Sequence, residues 1–121
     1  GGGGQPGVVV ESLRGLLHLS FGAVGRQSMV QQDALAVAAR AMSGGMGPEV
    51  EDAGLMLTWQ LATTPEGVAW YHERRGGLGQ QVDGCLHAVA QRAISHDTRA
   101  RAAKVLEILH AGGQQHPSQG G

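Results

Sequence analysis

Two stretches of this chain spell the same helical phrase. The first is Leu16-Leu17-His18-Leu19-Ser20, then Gly25, Met29-Val30 and a new helical start at Asp33. The second is Leu57-Thr58-Trp59-Gln60-Leu61-Ala62, then Gly67, Tyr71-His72 and Gly76-Gly77-Leu78. A shift of 42 residues lays Leu19 on Leu61, Ser20 on Ala62 and Gly25 on Gly67. Self-similarity at a period near ~40 residues marks stacked helical units, none of which can bury its apolar face alone. Such arrays hold out surfaces for other proteins.

The pattern between the repeats is helical throughout. Strand signals are confined to Val8-Val9-Val10, which leads straight into a helix. Apolar residues at i, i+3, i+4 and i+7 predict helices over about 9–20, 25–32, 33–42, 48–62, 65–75, 78–94 and 98–110. Asp33, Thr64 and Asp97 are the expected N-caps, and Pro48 and Pro65 suit first-turn positions. The segment at 48–62 is apolar nearly all round, which predicts neighbours on several sides. The final helix has one apolar stripe (Ala102, Val105, Leu106, Leu109) and one charged face, as a terminal element of a stack requires.

The ends read differently. Residues 1–7 (GGGGQPG) and 112–121 (GGQQHPSQGG) are Gly-rich and are expected to be flexible tails flanking a repeat domain over 8–111. About 100 residues remain, a size that buries roughly 60–65% of its unfolded surface. The absence of an initiator Met is expected of a mature product or of a piece of a longer chain.

Charge narrows the function classes. Nine basic and ten acidic residues give a net charge of −1, with no electrostatic case for nucleic acid or anionic lipid. The sequence offers no run approaching the ~20 apolar residues of a membrane span. Cys85 is the single cysteine, so no intrachain disulfide forms; this fits a reducing compartment, and a cytoplasmic or nuclear location is expected.

The residues that carry chemistry elsewhere are scattered here. Histidines stand at 18, 72, 87, 96, 110 and 116, without the HExxH or Cys-x-x-Cys spacing of a metal site. No metal or cofactor is expected. Cys85, beside Leu86 and Val89 on an apolar stripe, reads as a buried thiol rather than a nucleophile paired with His72 or His87. The glycine clusters at 43–47 and 76–79 lack the Lys-Ser/Thr of a phosphate loop and read as inter-helix breaks. The arginines at 74, 75, 92, 99 and 101 are balanced by Glu66, Glu73, Asp83 and Asp97 and read as a solvated face.

The stretch Leu61-Ala62-Thr63-Thr64-Pro65-Glu66-Gly67, followed by Gly76-Gly77-Leu78, resembles the repeats of plant U-box/armadillo proteins, where a phrase of the form L-A-x-x-P-E-G precedes G-G-I/L. The resemblance spans roughly residues 9–109. It implies an all-α fold: a fragment of a right-handed armadillo-type α-solenoid with about two and a half repeats, the helix at 9–20 closing an earlier repeat. It implies a non-catalytic scaffold or substrate-recruiting module, not an enzyme, whose partner is a protein, a peptide or the rest of a longer array. No U-box lies within these 121 residues, so ligase chemistry is not assigned to them. The alternative is a small structural subunit of a large multiprotein assembly.

In armadillo geometry the third helix of each repeat lines the concave face. This makes Arg14, His18, Thr58 and Gln60 candidate partner contacts, with Gln91 beside them. His18 and Gln60 match the position where peptide-binding repeats carry Asn; neither is Asn, so the resemblance stops short of a nuclear-import type of groove. Trp70 and Tyr71, in a chain with 3% aromatic residues, are candidate interface anchors, or else fill the gap between the two repeats.

Overall fold

The computed structural model describes residues 6–114, and all regular structure among them is α-helix. Seven helices follow in order: α1 (Pro6–Leu19), α2 (Ala23–Gln31), α3 (Ala34–Ser43), α4 (Pro48–Ala62), α5 (Pro65–Glu73), α6 (Leu78–Arg92) and α7 (His96–Gln114). The 42-residue shift seen in the sequence recurs in these bounds. Pro6 and Pro48 open α1 and α4, Ala23 and Pro65 open α2 and α5, and Gln31 and Glu73 close the latter pair.

Helices pack on their counterparts. α1 lies against α4 and α4 against α7; α3 lies against α6; α2 lies against α5. Within each set, α3 packs on α4 and α6 on α7. The long helices α1, α4 and α7 therefore form one row, α3 and α6 a second, and the short helices α2 and α5 run along an edge. The core is aliphatic: Leu35, Leu55, Leu57, Leu61, Leu86 and Leu109 are fully buried, each contributing about 1.5–3 kcal/mol by removal from water.

α4 is the middle member of its row, and its sequence explains why. Val50, Ala53, Gly54, Leu55, Leu57, Leu61 and Ala62 are all buried, because α1, α3, α5 and α7 surround it. α1 meets neighbours on one side only. Val10 and Leu13 are buried, whereas Val8 and Leu19 of α1, Phe21 of the turn after it and Val24 of α2 are exposed, Val24 at 82%.

A shared turn joins the long and short helices of each unit. A Cβ placed on Gly25 would collide with the carbonyl oxygen of Leu19, and one on Gly67 with that of Leu61. The short helix starts so close beneath the end of the long one that only glycine fits. In the second copy Thr64 caps α5: its hydroxyl accepts the Gly67 N–H at 3.2 Å and donates to the Leu61 carbonyl at 2.6 Å. Gly22 holds the same place in the first copy and has no side chain to cap with.

Three sequence expectations need correction. Asp33 precedes α3 but makes no capping bond; it sits in the left-handed region at φ 63°, and its carboxylate turns toward α5. At α7, Ser95 accepts the Thr98 N–H at 3.3 Å, so Asp97 falls inside the first turn instead of capping it. Residues 6–7 and 112–114, expected in flexible tails, are helical; the rest of both tails lies outside the described residues.

Candidate functional site

The row α1–α4–α7 leaves one side uncovered. Arg14 and His18 of α1 are exposed, and Gln60 of α4 is half-buried. Met56 and Trp59 of α4, also half-buried, give that helix an apolar stretch beside Gln60. Arg101 of α7 reaches back across it, 3.7 Å from the Asp52 carboxylate and 3.3 Å from the Met56 sulfur.

Four sequence candidates fall elsewhere. Thr58 is fully buried, its hydroxyl donating to the Gly54 carbonyl at 2.8 Å, so it faces the core and not a groove. Gln91 is exposed but belongs to α6, in the other row. Trp70 and Tyr71 are 2% and 4% exposed and cannot anchor a partner from the surface. Both instead tie elements together. The Trp70 indole N–H donates to Asp33 at 2.9 Å, with the Arg74 guanidinium 5.2 Å over the ring and 3.7 Å from the same carboxylate.

Tyr71 belongs to a cluster that sequence reading missed. Its hydroxyl donates to Asp83 Oδ1 at 2.8 Å, His110 Nε2 lies 2.6 Å from the same oxygen, and His87 Nε2 lies 3.4 Å from Oδ2. Beside it, His72 Nε2 donates to the Leu109 carbonyl at 2.7 Å, which requires the proton to sit on Nε2. Burial raises the Asp83 carboxyl, but the bonds from His110 and Tyr71 and the charges of both histidines outweigh it and hold the group below its ordinary value. Burial, then the bond to Asp83 and its charge, push the Tyr71 phenol up to about 12. One carboxylate thus ties α5, α6 and α7. Only the Asp83/His87 spacing of i, i+4 was a sequence signal; His110 arrives from 27 residues away.

Cys85 is buried, its thiol 3.4 Å from the Ala39 carbonyl, and desolvation raises its pKa. A thiol held protonated in this way is a poor nucleophile. Among the described residues no group of three or more His, Cys, Asp or Glu is arranged to hold a metal ion, and no helix is long and apolar enough to cross a membrane.

A second concavity, of about 990 Å³, runs between α5 and the ends of α4 and α7. Apolar Ala62, Pro65, Val68, Ala69 and Ile108 line it together with His72 and Arg75.

No family model, curated protein or solved structure matches this chain.

Proposed function

We propose that this chain is a non-catalytic protein-interaction module: an armadillo-type α-solenoid fragment whose uncovered α1–α4–α7 side receives a protein or peptide. The observation that carries this reading is the packing of like on like at a 42-residue period, α1 on α4 and α2 on α5. A continuous row of long helices offers a partner polar groups at regular intervals, here Arg14, His18 and Gln60, over half-buried Met56 and Trp59. The resemblance to plant U-box/armadillo repeats favours a scaffold or substrate-recruiting role in a ubiquitin-ligase or signalling protein of the cytoplasm or nucleus.

Affinity capture with the full chain and with a His18→Ala/Gln60→Ala variant tests the reading. A partner retained by the first and lost by the second is expected. Identical capture profiles from both, with unchanged circular dichroism, would overturn it. Small-angle scattering adds an independent check, since an array gives an elongated slab and a bundle gives a sphere.

The exposed Val8, Leu19, Phe21 and Val24 favour a second reading, a small structural subunit whose apolar end is covered in a large assembly. Co-migration of the native protein with a complex many times its 12.5 kDa mass would select it.

A further inference from the structure

The groove between α5 and α7 sits where the repeat places a helix. Its lining residues Thr64, Pro65, Val68, Ala69, His72 and Arg75 stand 42 residues after Gly22, Ala23, Arg26, Gln27, Val30 and Asp33. The earlier set borders α2, and α5 packs against α2. Inside the chain, then, the equivalent position is filled by the nine-residue helix α5. Two polar ties hold it there: Glu66 lies 3.6 Å from Arg26, and Trp70 and Arg74 engage Asp33.

The groove carries a different code at those two positions. Val68 replaces Arg26, so a carboxylate matching Glu66 would meet apolar surface. Arg75 replaces Asp33, which reverses the sign at the other end, and Arg75 forms no ion pair among the described residues. We propose that this groove docks a short amphipathic helix of a partner protein, one with an apolar residue in its first turn and a carboxylate in its last turn. The first-turn residue rests on Val68 and Ala69, and the carboxylate pairs with Arg75. None of Arg14, His18 or Gln60 lines the groove, so this site stands or falls apart from the reading of the α1–α4–α7 side.

The test uses the full chain and two synthetic helix-promoting peptides of about 12 residues, the shortest length with useful helicity. Both carry Leu in the first turn; one has Glu in the last turn and its twin has Lys. Fluorescence anisotropy should find the Glu peptide binding about fivefold tighter than the Lys peptide, the scale of an exposed ion pair exchanged for a like-charge contact. Arg75→Glu should reverse that order. Ala69→Arg, at an exposed position, should abolish binding of both peptides while circular dichroism stays unchanged. Equal affinities, an order that Arg75→Glu leaves intact, or no binding up to about 1 mM would overturn the proposal. Concentration-dependent self-association abolished by Ala69→Arg would also overturn it, by giving the groove to a second copy.

Discussion

The Trp70 indole N–H donates to Asp33 Oδ1 at 2.9 Å, and this bond joins the turn between α2 and α3 to the middle of α5 across 37 residues of sequence. It explains why Asp33 does not cap α3. A carboxylate bent back to Ala36 could not also reach α5, and at φ 63° the Asp33 backbone lies outside the extended region from which N-cap side chains bond. The tie holds α5 to the α2–α3 turn at a place where the indole is otherwise sealed from water.

Replacing Asp33 with Ala should therefore leave a buried donor unmet and force Ala into a left-handed conformation. The expected loss is about 1–3 kcal/mol of stability, the cost of an unsatisfied buried polar group. Asp33→Asn keeps an acceptor and tolerates the backbone, and should lose less than half of that. Urea unfolding followed by circular dichroism decides it; equal midpoints for the native chain and Asp33→Ala would refute the account.

Two glycines should respond in opposite directions. At Gly67 a Cβ meets the Leu61 carbonyl, a backbone atom that cannot swing aside, so Gly67→Ala should destabilise by more than about 1 kcal/mol despite alanine's better helix propensity. At Gly84, on the exposed side of α6, a Cβ meets nothing within 4 Å, and Gly84→Ala should stabilise by up to about 1 kcal/mol. Thermal melts of the two variants, side by side, should bracket the native chain. A Gly67→Ala melt at or above that of the native chain would show that the turn between α4 and α5 has room for a methyl group.

Two helix starts, those of α4 and α5, were legible because local chemistry sets them, whereas the caps of α3 and α7 were not. Thr64-Pro65 and Pro48 open their helices where the sequence places them. The 42-residue period was legible too, and it reappears as counterpart packing. The fate of individual polar and aromatic side chains was not. Thr58 lies on a helix that is apolar nearly all round, so nothing in its own segment says which side is open; α1, α3, α5 and α7 decide that together. Trp70 and Tyr71 sit on a short helix whose periodicity leaves their side undetermined, and their burial depends on Asp33 and Asp83, each from another element. At the candidate site, Arg14 and His18 were identifiable as surface because α1 has a clear apolar stripe.

Cys85 gives a direct probe of the α3–α6 contact. Its thiol touches the Ala39 carbonyl and is shielded from solvent, and burial keeps it protonated. Labelling of the native chain with a disulfide reagent should lag behind labelling in denaturant by orders of magnitude, since it must await local opening. Fast modification under native conditions would mean that α3 and α6 separate readily.

Tyr71 is the chain's one tyrosine, so the phenolate absorbance band reports a single site. Its folded pKa is pushed up to about 12 against the ordinary 10.0, because burial and the neighbouring Asp83 carboxylate both oppose a second negative charge. For a raised pKa, stability is complete below the unfolded value and falls between pH 10.0 and about 12, where the unfolded chain has released its proton and the folded one has not. Asp83 behaves in the opposite sense. Its folded pKa is depressed, so its contribution is present above the ordinary 3.8 and is lost as pH falls through the lower folded value. Asp83→Asn removes the charge facing both Tyr71 and the two histidines. It should bring the phenolate midpoint down toward 10.0 and flatten the acid limb of the stability profile together. A native midpoint at 10.0, or an acid limb that Asp83→Asn leaves unchanged, would show that α5, α6 and α7 are not joined through this carboxylate.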